Sequence, residues 1–189
     1  MEEFRNMQGS LDGMQYLLDH TELLHQVVTK INTENIVVRI LLDSSQFKSG
    51  SSCARQPARM RELFEAGCEL RTMKPEGGGW FASMHVKTWI VDKQVVVTGS
   101  TNTTHNGLEN NKEQMFRIRE PSVVDQVIAD FEQTWDEGVP VSQQVLEEML
   151  ANAEKPKGKS RNSRSQSHGR DVSRSLSVEL EESHGRRSP

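Results

Sequence analysis

The sequence predicts an α/β fold: a mixed, largely parallel sheet flanked by helices, followed by a disordered C-terminal tail. Three observations predict it. Leu24, Val27, Val28 and Ile31 recur at i, i+3, i+4 and i+7, the stripe of an amphipathic helix, and the nearly continuous apolar run Ile36–Leu42 follows at once. The run is rich in β-branched residues, as in a strand buried on both faces. Late in the chain, Val124, Val127, Ile128, Phe131 and Trp135 share one face of a second helix.

The elements follow in order. A short first strand is expected at Met14–Leu18, with Asp19 or Thr21 capping the first helix and Asn32–Asn35 as a polar turn. The strand-helix-strand order predicts a parallel pair joined by a right-handed crossover. Ser44–Ser52 reads as a loop. Pro57 suits the first turn of a helix carrying Met60, Leu63 and Phe64, and Gly67 suits its end. Glu69–Met73 reads as a strand, and Lys74–Gly79 as a flexible loop with three consecutive glycines. Met84–Val91 and Gln94–Thr98 are expected as two strands about a turn at Asp92–Lys93, with Met115–Ile118 as a further strand. Pro121 opens the late helix, Gly138 closes it, and Gln143–Leu150 forms a last short one.

Composition sets the domain plan. Hydrophobic residues make up only 34% of the 189 residues, and the deficit is concentrated at the end. From Glu154 to Pro189 the only large aliphatic residues are Val172, Leu176, Val178 and Leu180, too few to offset chain entropy by burial. The plan is an N-terminal extension over 1–12, a catalytic domain over 13–150 and a Ser/Arg-rich tail over 151–189. The net charge of -4 hides an asymmetry, because the stretch from Glu154 carries nine Lys/Arg against five Asp/Glu. The remainder holds fourteen basic and twenty-two acidic residues, so the domain is acidic and no general binder of nucleic acid. Lys48, Arg55, Arg59, Arg61, Arg71 and Lys74 nevertheless form a locally basic stretch, either a solvated surface or a positive lip beside an anionic substrate. Ser160-Arg161, Ser163-Arg164 and Ser173-Arg174 fit a plain linker, a phosphorylated segment or weak contact with RNA or an anionic membrane.

Cys53 and Cys68 have no zinc-site spacing and read as two reduced thiols, with Cys68 near the core. No metal and no cofactor is expected. No run approaches the roughly 20 apolar residues of a membrane span, and Met1–Gly13 has no apolar signal-peptide segment. The expectation is an intracellular, cytoplasmic protein.

The chemistry lies between Met84 and Glu113: His85, Lys87, Asp92, Gly99, Ser100, Asn102, Asn111 and Glu113. On a strand, side chains two apart share a face, so His85 and Lys87 are expected to point together. A nucleophilic imidazole beside a cation suits an anionic phosphoryl group. Gly99 permits close backbone approach, and Ser100 and Asn102 can donate to phosphate oxygens. With each residue type at roughly 5% of positions, six matches at fixed offsets arise by chance on the order of 10⁻⁸ per starting point.

Written as H-x-K, four residues, D, six residues, G-S-x-N and then N-x-E, the set resembles the active-site signature of the phospholipase D superfamily. That superfamily includes phospholipases, bacterial endonucleases and the mitochondrial cardiolipin hydrolase group. Leu41-Leu42-Asp43, the Gly67 break and Arg119-Glu120-Pro121 also sit where the family has equivalent elements, so the resemblance covers roughly Gly13 to Gly138. It implies a half-unit of the phospholipase D fold and a phosphodiesterase acting through a covalent phosphohistidine. His85 would be the nucleophile. Lys87 and Asn102 would bind non-bridging oxygens, and Ser100 would help. Glu113 would take a hydrogen bond from the imidazole, while Asp92, Gly99 and Asn111 would support the site. Such a site needs two histidines, and this chain has one motif; His20, His25, His105, His168 and His184 belong to no second copy. The resemblance therefore implies a homodimer with a shared active site.

The substrate expected is a phospholipid such as cardiolipin. The alternatives are an endonuclease on single-stranded nucleic acid and an inactive dimeric binding module. Trp80 and Phe81 precede the active segment, where they pack in the core or dimer or line a lipid or base pocket. The cardiolipin hydrolase group usually carries an N-terminal anchor, and animal members a small zinc-binding insert; neither is visible here. An anchor upstream of this chain would place it on the mitochondrial outer surface.

Overall fold

The computed structural model describes residues 2–48, 55–75 and 82–154. The expectations for Cys53, the glycine run, Trp80, Phe81 and the Ser/Arg tail lie outside them.

The elements, in chain order, are α1 (Glu2–Asn6), β1 (Ser10–Gln15), α2 (Thr21–Glu34), β2 (Val37–Asp43), α3 (Ser44–Lys48), α4 (Gln56–Glu65), β3 (Glu69–Met73), β4 (Lys87–Val91), β5 (Val95–Gly99), a π-helical turn (Asn106–Asn110), β6 (Met115–Ile118), α5 (Pro121–Glu137), β7 (Val139–Pro140) and α6 (Gln143–Glu154). Seven strands form one sheet in the order β6-β5-β4-β1-β2-β3-β7. The sheet is mixed. Parallel pairing is confined to β1–β2 and β2–β3, while β1–β4, β4–β5, β5–β6 and β3–β7 are antiparallel. The expected parallel weighting therefore holds only in the first half, where helices return the chain. In the second half β4 and β5 are joined by a tight hairpin, which forces antiparallel pairing there.

Side-chain alternation divides the sheet between two cores. Val38, Ile40 and Leu42 of β2 and Trp89 and Val91 of β4 face one cluster, with Leu24 and Val27 of α2, Met60 and Leu63 of α4 and Leu146 and Met149 of α6. Leu41 and Ile90 face the other, with Val124, Phe131 and Trp135 of α5. The stripe on α5 is the one expected from sequence. Arg39, which interrupts the apolar run of β2, also lies on the α5 side. It bonds the Asp12 carboxylate of β1 at 2.7 and 2.9 Å and that of Glu132 at 2.8 and 2.9 Å, and it lies 4.8 Å from the centre of the Phe131 ring. The charge is thus paired rather than left buried alone.

Five expectations are corrected in the first 48 residues. The first strand begins at Ser10, four residues early, and ends before Leu18. Phe4 and Met7 are 2% and 0% exposed within the core, so the anticipated boundary at residue 13 falls inside β1. His20, rather than Asp19 or Thr21, caps α2: its side chain accepts from the Leu23 N–H, and the helix runs through the anticipated turn to a left-handed Asn35. The first part of the expected loop, Ser44–Lys48, is helical.

Candidate active site

The His85 segment is held from two sides before β4 begins. Lys87 is the first residue of β4, so Met84–Val86 is not strand, and strand alternation does not explain why His85 and Lys87 meet. The Met84 N–H donates instead to Asp43 Oδ2 at the end of β2, at 2.7 Å. The Val86 carbonyl accepts from the Tyr16 N–H, just past β1, at 3.1 Å. Asp43 is fully buried and also accepts from the N–H of Ser45, at 2.9 Å, and from its hydroxyl.

This path leaves His85 exposed and Lys87 only 7% exposed. Lys87 Nζ lies 3.0 Å from His85 Nδ1 and 2.9 Å from the His85 carbonyl oxygen. An ammonium only donates, so Nδ1 is the acceptor, and in the neutral ring the proton sits on Nε2. Desolvation, then the Lys87 ammonium, hold the His85 pKa below the usual histidine value, with Asp43 opposing. Burial likewise lowers the Lys87 pKa, against the pull of Glu113. The Tyr16 ring lies 4.5 Å from the His85 ring, centre to centre, and 5.2 Å from Lys87 Nζ.

The second half of the motif is delivered to the same end of the sheet. Thr88 pairs with Thr98, so Gly99 and Ser100 leave β5 beside Lys87. Gly99 is required by its neighbour: a Cβ there would lie 2.0 Å from the Gln114 carbonyl oxygen. Ser100 and Gln114 then exchange bonds, Ser100 N–H to Gln114 O at 3.0 Å and Gln114 N–H to Ser100 Oγ at 3.1 Å. The Ser100 hydroxyl donates to Glu113 Oε2, and Asn111 Nδ2 donates to Glu113 Oε1 at 3.1 Å. These two donors, Ser100 first, hold the exposed Glu113 carboxyl below the usual glutamate range. Within this chain Glu113 thus engages Ser100 and Asn111 and not the His85 ring. Asn102 is fixed through its backbone, its carbonyl accepting from the Thr104 N–H at 2.8 Å. Gly107 packs so closely that a Cβ would come 2.2 Å from the same oxygen. The buried Oδ1 of Asn102 has no partner among the described residues.

Asp92 is not part of this constellation. It lies at the far end of β4, where its carboxylate accepts from the N–H groups of Gln8, Gly9 and Ser10 at 2.7 to 3.2 Å. Asp92 and Lys93 both have positive φ, 52° and 55°, as the two central residues of the turn that the Gln94 N–H closes on the Val91 carbonyl at 3.0 Å. Asp92 therefore ties the hairpin to the start of β1.

Among the other histidines, His25 is exposed on α2. His20 Nε2 meets Glu109 Oε1 at 3.1 Å, and His105 stacks on His20 at 6.3 Å. The basic stretch is largely engaged within the chain. Arg59 pairs with Glu62, Arg61 with Glu65 at 3.6 Å and Arg55 with Asp19 at 3.6 Å, while Arg71 donates to the Trp135 carbonyl at 2.6 Å. Cys68 is buried, and burial drives its thiol pKa far up, as befits an inert core residue. Among the described residues no group of three or more His, Cys, Asp or Glu could hold a metal, and no helix is long and apolar enough to cross a membrane. Sequence reasoning missed Tyr16, Asp43 as an anchor, and Gln46.

The chain matches the family model described as "Cardiolipin synthase, PLD-like domain" over residues 1–135. Mitochondrial cardiolipin hydrolase of Mus musculus is 28% identical over 117 residues, covering 62% of this chain and 48% of that protein. The Homo sapiens protein of the same name is 27% identical, covering 62% and 42%. The chain thus spans about half, or less, of the length of these relatives. Among solved structures, the phospholipase D family member Nuc of Salmonella typhimurium superposes with a TM-score of 0.63 at 22% identity, over 75% of this chain and 88% of that one. NucT of Helicobacter pylori gives 0.64 at 17%, over 74% and 87%. With the family model covering residues 1–135 of 189, the chain belongs to the phospholipase D-like family.

Proposed function

We propose that this protein hydrolyses a phosphodiester, most simply a phospholipid of the cardiolipin type, by way of a covalent phosphohistidine on His85. The observation that carries the reading is the Lys87 ammonium bonded to the His85 imidazole at the mouth of the sheet. For the attack the ring gives up the Lys87 contact and donates Nδ1–H to a carboxylate, which leaves Nε2 unprotonated. Nε2 attacks phosphorus, the phosphorus–oxygen bond to the leaving alcohol breaks, and a second, protonated imidazole gives that oxygen its proton. Water then gives a proton to that second, now neutral imidazole and attacks the phosphohistidine, releasing the phosphomonoester and restoring both rings. Lys87, Asn102 and Ser100 bear the charge on the non-bridging oxygens.

Among the described residues of the single chain, two parts of this chemistry are missing. Among the described residues no carboxylate bonds the His85 ring, and Nδ1 is occupied by Lys87. A second imidazole is also needed to protonate the leaving oxygen. In a two-fold dimer the partner's His85 would be that imidazole and the partner's Glu113 the carboxylate. Exposed apolar residues flank the site as such a contact requires: Val86 beside His85, and Met115 and Phe116 on the edge strand β6 at 45% and 52% exposure.

The lipid reading is preferred because the relatives are named cardiolipin hydrolases and most of the basic stretch is already paired. Incubation with cardiolipin, phosphatidylcholine, single-stranded DNA and RNA in parallel decides it: cardiolipin is expected to be consumed first, and cleavage of nucleic acid alone contradicts the lipid assignment. Purified protein should also cleave bis-p-nitrophenyl phosphate in the presence of chelator, since His85 supplies the nucleophile and Lys87 the cation. Complete loss in chelator means metal-assisted chemistry instead.

A further inference from the structure

We propose that Tyr16 is a positioning residue, its aromatic ring the surface against which the His85 imidazole and the Lys87 ammonium are held in working geometry. The inference rests on the reading of His85 and Lys87 as the reacting pair. Tyr16 is the chain's only tyrosine, and it follows β1 directly. Its N–H donates to the carbonyl of Val86, the residue between the two catalytic side chains. Its ring centre lies 4.5 Å from that of His85, with 53° between the planes, and 5.2 Å from Lys87 Nζ.

The ring is itself held. Its hydroxyl accepts from Gln46 Nε2 at 2.9 Å, and the same nitrogen lies 3.2 Å from Ser45 Oγ. Ser45 bonds Asp43, and Asp43 takes the Met84 N–H next to His85. Contacts therefore close a circuit from Tyr16 through Gln46, Ser45, Asp43 and Met84 back to His85. The circuit has a physical purpose. His85 is exposed, and among the described residues only Lys87 bonds its ring nitrogens, so an unsupported imidazole would sample other rotamers at little cost. Lys87 is buried and must keep its charge there, and the face of an aromatic ring stabilises an ammonium in such a setting. The ring, rather than the phenol hydroxyl, makes both contacts.

The test compares wild type, Tyr16→Phe and Tyr16→Leu by turnover of bis-p-nitrophenyl phosphate and by NMR titration of the Lys87 side chain. Tyr16→Phe keeps the ring and is expected to stay within about threefold of wild-type kcat with an unchanged Lys87 midpoint. Tyr16→Leu removes the aromatic face and is expected to lower kcat about tenfold, with KM little changed, and to lower the Lys87 midpoint by about 0.5 to 1 pH unit. Should the leucine variant not fold, Tyr16→Met replaces it with the same expectations. Wild-type kcat and midpoint in the leucine or methionine variant overturn the proposal. So does a loss in Tyr16→Phe equal to that in Tyr16→Leu, which would assign the effect to the hydroxyl. An inactive wild type contradicts the phosphodiesterase reading instead, while the Lys87 titration still decides the role of Tyr16.

Discussion

At the scale of single residues, the site is a contest between charge and burial. Lys87 sits under the sheet's lip and His85 above it, and desolvation first, then the ammonium, disfavours a positive charge on the ring. His85 is therefore expected to titrate below the ordinary histidine value in the full chain. Lys87→Met removes the ammonium, so the His85 midpoint should move up while turnover falls about a hundredfold or more. An unmoved midpoint contradicts the pairing. Asp92 gives the opposite pattern. Asp92→Ala deletes a carboxylate bound to three backbone N–H groups and puts alanine at positive φ, so it should cost about 2 to 3 kcal/mol in denaturant unfolding. The kcat of the folded fraction should be near that of wild type. A catalytic role for Asp92 would show as lost kcat in a stable protein. The motif residues themselves were readable in advance because their spacing is rigid in sequence. Tyr16, Asp43 and Gln46 were not: they reach His85 from the ends of β1 and β2 and from α3, through contacts that no local spacing announces.

Elements were legible where one periodicity governs many residues. The α5 stripe was read directly, since burial on one side repeats over whole turns, and the bounds of β3 and β6 came out as expected. The first strand was misplaced because Ser10 to Gln15 mixes Asp12, Gly13 and Gln15 into a buried strand, and its polar groups are matched only by distant partners such as Arg39 and Thr88. The cap of α2 was misread for a similar reason: His20 outcompetes Asp19, which is turned toward the His105 N–H at 3.3 Å and Arg55. His20→Ala should cost about 1 kcal/mol, and His20→Asn, a good cap, should recover part of it. Equal melting temperatures for the alanine variant and wild type would show that the cap carries no stability.

For the molecule as a whole, the sheet gathers Tyr16, Asp43, Lys87 and Ser100 at one end, and among the described residues no carboxylate and no second imidazole bonds the His85 ring. Activity should therefore depend on pairing of chains. Sedimentation should show a dimer, and an excess of His85→Asn subunits, after exchange, should suppress wild-type activity in mixed dimers that hold a single His85. Full specific activity in a strictly monomeric protein contradicts this. The central claim, that His85 is the nucleophile, is tested most directly by alkaline quenching during turnover of bis-p-nitrophenyl phosphate, followed by mass analysis of the peptide that contains residue 85. The account predicts a phosphoryl adduct on His85 in wild type and none in folded, inactive His85→Asn; turnover undiminished in that variant, with no adduct on His85 in wild type, would contradict it.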